Sequence, residues 1–109
     1  MKRLTECDLI YVASPYGGKH ENYTRAQRDM MILTETYRQY DFISPIVAYG
    51  FCYDNYSYDD GIRQCLGLLA HCDQLWVLHG DGESGGVKIE RKFAAEHNIP
   101  IKETSEIVN

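Results

Sequence analysis

The chain has 109 residues, 11 Lys and Arg against 16 Asp and Glu, and a formal net charge of -5. That length accommodates one domain spanning 1–109 and one core, with no room for separate catalytic and recognition domains. The acidic balance excludes a protein that wraps a nucleic-acid polymer, which needs a basic face against the phosphates, and leaves a single nucleotide open as a ligand.

The opening MKRLTECDLIYVAS has an apolar run too short for a signal peptide or a membrane span, and Asp8 interrupts it; a cytoplasmic protein with no membrane attachment is expected. Within it, DLIYVAS (8–14) is a short β-rich run ending at Pro15, which predicts a buried strand with a loop beyond. From Asn22 to Tyr40, Tyr23, Ala26, Met30, Leu33, Tyr37 and Tyr40 recur at helical spacing with Arg25, Arg28 and Arg38 outside the stripe. FISPIVA (42–48) is a second strand that Pro45 ends near Ser44, because proline has no N–H for the ladder. YGFCYDNYSYDDG (49–61) reads as a tyrosine-rich loop. Ile62, Leu66, Leu69 and Cys72 then mark a second helix, and QLWVLHG (74–80) a third strand. A glycine-rich turn opens a helix from about Ser84 to His97, and Ile99 to Ile101 form a last strand after the Asn98 stop signal.

Alternating strands and helices predict an α/β fold: a flavodoxin- or Rossmann-like three-layer sandwich with a parallel sheet of about four strands in the order 2-1-3-4. Ligands of such sheets bind beyond the carboxyl ends of the strands, where the strand order reverses. Ser14 to Lys19, the 45–60 segment and His79 to Gly86 fall on that edge. Cys7, Cys52, Cys65 and Cys72 form no CxxC pair, and His71 with Cys72 lacks further ligands at zinc spacing. The cysteines read as free thiols, and neither a metal nor a cofactor is expected.

DGESGGVKIE (81–90) ends in an acid where an apolar residue belongs. At about 100° per residue, with Glu90 at zero, Val87 falls near +60°, Ala94 near +40°, Gly86 near -40° and Phe93 near -60°, while Lys88, Arg91 and Lys92 fall near or beyond +100°. Glu90 therefore sits in the middle of the buried arc. A carboxylate there is costly unless something pairs with it, and groups with that cost concentrate at functional sites. Gly85 and Gly86 leave room for a ligand beside it. The alternative is a structural carboxylate that caps a neighbouring stretch of backbone.

YVASPY (11–16), GIRQCLGLLAHCDQLWVL (61–78) and S-x-G-V-x-x-E (84–90) followed by Ala94, in that order, resemble the nucleoside 2-deoxyribosyltransferase superfamily, most closely a small branch found in bacteria and phages. The resemblance covers nearly the whole chain. It implies that Glu90 is a nucleophile toward the anomeric carbon of a 2-deoxyribosyl group, with the base released and the sugar passed to another base or to water. It also implies that Tyr11, on the first strand, orients that nucleophile; packing in the core is the competing role for this ring. The transferases carry an Asp six residues before the nucleophile, where this chain has Ser84. Serine caps a helix but has no acid chemistry for a nucleobase, and Asp81 is the candidate to replace it.

Ser14, Pro15, Tyr16, Gly17, Gly18 and Lys19 form a turn ahead of a helix whose first amides favour an anion, with Arg25 close in sequence. The other reading of this stretch is a turn without a ligand. In the resembled superfamily this loop lies beside the sugar, which makes a 5'-monophosphate the preferred ligand. Tyr49, Tyr53, Tyr56 and Tyr58 crowd one segment, either to stack on a base, with Tyr49 a substrate-binding candidate, or to form a partner surface or a loop folded over the pocket. The resemblance implies pockets shared between subunits, so a homodimer or larger assembly is expected. Three functions remain open at this point: an N-glycosidic hydrolase or deoxyribosyl transferase, a non-catalytic module that senses or sequesters a nucleotide, and an interaction protein whose tyrosine-rich loop binds another protein.

Overall fold

Strands β1 (Leu9–Ala13) and β3 (Gln74–Leu78) form the centre of the sheet because every second side chain has a layer to enter on each face. Ile10 and Val12 of β1, with Trp76 and Leu78 of β3, pack with Leu33 of helix α1 (His20–Thr36). Tyr11, Ala13, Leu75 and Val77 point to the opposite face. They pack there with Leu69 of α3 (Tyr58–Leu69) and with Val87 and Ala94 of α4 (Gly85–Glu96). A strand buried on both faces carries an unbroken apolar run, which is why LIYVA and QLWVL stand out in the sequence. The computed structural model describes residues 7–79 and 84–104.

With β2 (Asp41–Ile43) and β4 (Ile101–Thr104), the strands make one sheet in the order β2-β1-β3-β4. All three pairings are parallel. This is the expected α/β sandwich with the expected strand order. The order reverses between β1 and β3, so α1 covers one face and α3 and α4 the other. Among the described residues no helix is long and apolar enough to cross a membrane, and all four cysteines are free thiols.

The element boundaries differ from expectation in three places. The segment expected to be loop up to residue 61 is mostly helical. Ser44 accepts a hydrogen bond from Val47 N–H at 3.3 Å and caps α2 (Pro45–Tyr49), with Pro45 in the first turn, where its missing N–H costs nothing. A 3-10 segment (Gly50–Asn55) follows, kinked at Cys52. Ser57 then caps α3 through Asp60 N–H at 3.1 Å, and Asp59 and Asp60 sit in the first turn, where the helix dipole favours them. Secondly, α1 ends at Thr36 rather than Tyr40. Tyr37 and Tyr40 leave the helix to pack edge-on against Trp76 at 5.1 and 5.7 Å. Thirdly, β4 starts after Pro100, because Asn98, in the left-handed region at φ 58°, closes α4 and Pro100 C=O accepts from Leu75 N–H.

Gly67 lies exposed inside α3, and a Cβ there would meet no atom within 4 Å. Gly67→Ala is expected to stabilise the protein by about 0.5–1 kcal/mol through helix propensity alone. The shift is readable as a higher urea midpoint; a lower midpoint would mean that the glycine meets a steric need absent from this account.

A buried carboxylate with a histidine partner sits on the α1 face. Asp29, 3 % exposed in line with Ala26 and Leu33, accepts from His79 Nε2 at 2.9 Å. The histidine immediately follows β3 and occupies the left-handed region at φ 55°, a strained conformation for a bulky side chain. His79→Ala keeps a side chain at positive φ and leaves the Asp29 carboxylate buried without this partner. A loss of about 2–3 kcal/mol is expected, scaled down because His79 is itself 25 % exposed. Denaturant midpoints within experimental error of the wild type would show that Asp29 is satisfied another way.

Candidate functional site

A cleft of about 510 Å³ opens beyond the carboxyl ends of β1, β2 and β3, at the point where the strand order reverses. Ser14, Pro15, Tyr16, Gly17 and Lys19 come to it from the segment after β1, and Ile46, Tyr49 and Gly50 from α2 and its end. Tyr58, Gly61, Ile62 and Cys65 recur at positions i, i+3, i+4 and i+7 of α3 and form another wall. The start of α4 contributes Ser84, Gly85 and Gly86, and Glu90 lies one turn deeper.

Glu90 is 5 % exposed, between Val87 at 1 % and Ala94 at 0 %, so the angular reading of the helix holds. Its carboxylate accepts a hydrogen bond through Oε2 from the Tyr11 hydroxyl, which comes from the centre of the sheet. Burial pushes the Glu90 carboxyl up to about 7, and the hydrogen bond from Tyr11 holds it partly back. The same burial, followed by the negative charge of Glu90, pushes the Tyr11 hydroxyl well above its ordinary range. Tyr11 therefore stays protonated and acts as a donor at every physiological pH. The half-buried Cys65 thiol is raised by its burial and then by the charge of Glu90, and it interacts with the Tyr11 hydroxyl. Three protic side chains from a strand and two helices thus meet, Glu90 and Cys65 in the cleft and Tyr11 behind them.

The chemistry follows from this arrangement. A carboxyl near 7 is about half ionised at neutral pH. It is hydrogen-bonded on one oxygen and poorly solvated, so it suits nucleophilic attack or proton transfer at a bound carbon centre. Around it the wall is mostly apolar and aromatic. Tyr16 and Tyr53 meet edge-on at 4.8 Å, and Tyr53, Tyr56 and Tyr58 are 41, 46 and 63 % exposed at the rim. Lys19 brings positive charge at the start of α1, after Gly17 and Gly18, both at positive φ (61° and 74°). A Cβ on Gly18 would also come within 3.1 Å of the Tyr53 ring, so this glycine lets the rim close on the loop.

Ten of the residues picked from the sequence line the cleft: Ser14, Pro15, Tyr16, Gly17, Lys19, Tyr49, Ser84, Gly85, Gly86 and Glu90. Tyr11 stands behind the wall, fully buried, and meets the site through Glu90 and Cys65. Gly18 is outside the wall and supports it. Arg25 is not among the lining residues: α1 starts at His20, which carries Arg25 about 9 Å along the axis from Lys19. Asp81 lies outside the described residues. Ser84 occupies the N-cap position of α4 without a side-chain cap hydrogen bond. Sequence reasoning missed Asn22, Gly61, Ile62, Gln64 and Cys65 as wall residues. The α3 residues become legible only when the helix is started at Ser57, where the serine and the two following aspartates form an N-terminal signature. Asn22 holds the first loop in place by donating from Nδ2 to Tyr16 C=O at 2.9 Å.

No curated protein matches the sequence. Residues 8–104, which include both central strands, α4 and every described member of the cleft, match the model of a domain of unknown function (DUF7768), and the chain belongs to that family.

Proposed function

We propose that the protein breaks the N-glycosidic bond of a 2-deoxynucleoside or its 5'-monophosphate and passes the deoxyribosyl group to water or to another base. The observation that carries this reading is a carboxylate buried in the apolar face of α4 yet open to the cleft, held by the Tyr11 hydroxyl. In the reaction Glu90 attacks the anomeric carbon on the face opposite the base. The transition state resembles an oxocarbenium ion, and the anion stabilises it before the covalent bond is complete. Lys19 and the first amides of α1 suit a 5'-phosphate, and the tyrosines of the rim suit the face of a base. A second copy of the chain covering the exposed rings of Phe51, Tyr56 and Tyr58 belongs to the same proposal; light scattering at micromolar concentration reads it as a dimer mass.

One observation favours a second reading, in which the cleft binds a nucleotide without turning it over. Ser84 stands at the start of α4, where the resembled transferases carry an acid. Incubation with each deoxynucleoside and monophosphate, with free base followed by chromatography, separates the two. Released base supports the enzymatic reading. Thermal stabilisation by one of these ligands with no base released at high protein concentration supports the binding module.

A further inference from the structure

We propose that Tyr53 positions the turn that receives the phosphate, and so sets how far the cleft prefers a deoxynucleoside monophosphate to the bare deoxynucleoside. The proposal rests on the nucleotide reading of the cleft and deepens it. The turn runs from Tyr16 to Lys19 and is closed by Lys19 N–H, which donates to Tyr16 C=O at 3.1 Å. Its two inner residues are Gly17 and Gly18, both at positive φ. A pair of glycines has the widest backbone freedom a chain can have, so this turn loses much entropy when it is held in one form. A contact from outside has to hold it if Lys19 and the first amides of α1 are to meet a phosphate already in place.

Tyr53 makes that contact. It comes from the 3-10 segment, and its Cε2 lies 3.1 Å from the point that a Cβ on Gly18 would occupy, so the ring rests on the bare backbone of the turn. Gly17 and Lys19 line the cleft, whereas Gly18 between them, where the ring covers it, does not. Tyr16 meets the same ring edge-on at 4.8 Å, and Asn22 holds Tyr16 by donating from Nδ2 to its C=O at 2.9 Å. The segment that carries Tyr53 is itself seated. Gly50, at its start, packs so closely on Tyr23 of α1 that a Cβ there would come within 3.1 Å of the ring. Ring and turn thus brace each other at one end of the cleft. Tyr53 is also less exposed than Tyr56 or Tyr58, which leaves those two rings to the base.

The test compares ligands with and without the phosphate. Thermal shifts at graded concentrations give the affinity for each of the four 2-deoxynucleosides and for their 5'-monophosphates. Tyr53→Ala is expected to weaken monophosphate binding by roughly tenfold and nucleoside binding by less than about twofold, because only the phosphate relies on the turn. The side chain is 41 % exposed, so its removal leaves the core intact. Tyr53→Phe keeps the ring on Gly18 and is expected to keep the wild-type ratio of the two affinities. Gly18→Ala, which sets a Cβ at positive φ against the ring, is expected to lose the same preference as Tyr53→Ala. Equal loss for nucleosides and monophosphates in Tyr53→Ala would put the ring on the base instead and overturns the proposal. An unchanged ratio in that variant, or a wild type that does not prefer the monophosphate, overturns it too. A wild type that binds none of these ligands removes the nucleotide reading itself and this proposal with it, an outcome distinct from any result with the variants.

Discussion

Glu90→Gln is expected to reduce base release by on the order of 10⁴-fold while leaving nucleotide binding within a few-fold of the wild type. The amide keeps the shape of the side chain and still accepts from the Tyr11 hydroxyl, so neither the cleft nor the fold has reason to change. What it lacks is the negative charge and the nucleophilic oxygen, both used in the transition state and not in the ground state, and a loss of that kind appears in kcat rather than in affinity. In the proposed complex phosphate and base are held elsewhere, by the lining residues Lys19, Gly17 and the tyrosines. For the wild type, the rate should rise with pH through about 7 as the Glu90 carboxyl ionises. Turnover retained by Glu90→Gln would remove the nucleophile assignment even if the protein proves to be an enzyme.

The same substitution is expected to stabilise the protein above neutral pH. Burial raises the Glu90 carboxyl in the folded protein from its ordinary 4.5 to about 7. Between those two values the folded chain holds a proton that the unfolded chain has lost, so stability falls as pH rises across the window and is level beyond it. At about 1.4 kcal/mol per pH unit, the charged form costs the wild type at most ~3 kcal/mol at pH 8. Glutamine does not titrate, so urea midpoints of Glu90→Gln and wild type should lie far apart at pH 8 and approach one another near pH 5. A wild type that is the more stable protein at pH 8 would show that the carboxylate is fully compensated in place. An acid that costs stability at working pH is what the proposed reaction needs at this position, and that support comes from burial rather than from the resemblance.

How far the sequence could be read depended on what each residue packs against. The two central strands were legible because both faces are buried, which turns LIYVA and QLWVL into continuous apolar runs. Alternation with helical stripes then sufficed for a parallel sheet in the observed order. Glu90 was legible because helix geometry alone assigns it to the apolar arc of α4. The 45–58 segment was not legible, because tyrosines and glycines mimic a loop and the helices there depend on short-range caps at Ser44 and Ser57. Asp29 gave no sign, since a charged residue inside α1 looks solvated until His79 is brought to it from 50 residues away by an unusual backbone angle. Arg25 falls outside the lining because nearness in sequence to Lys19 becomes distance along a helix axis. Cys65 looked like one more free thiol, and only the fold puts it beside Tyr11 and Glu90.

The proposed reaction passes through a covalent bond between Glu90 and the deoxyribosyl group. The most direct measurement is mass spectrometry of the protein quenched in acid during turnover of a deoxynucleoside monophosphate, followed by peptide mapping. A fraction of chains is expected to be heavier by one deoxyribosyl phosphate unit, with the added mass on the peptide containing Glu90 and absent from Glu90→Gln. Turnover with no adduct at any quench time, or an adduct on a peptide other than the one carrying Glu90, would contradict it.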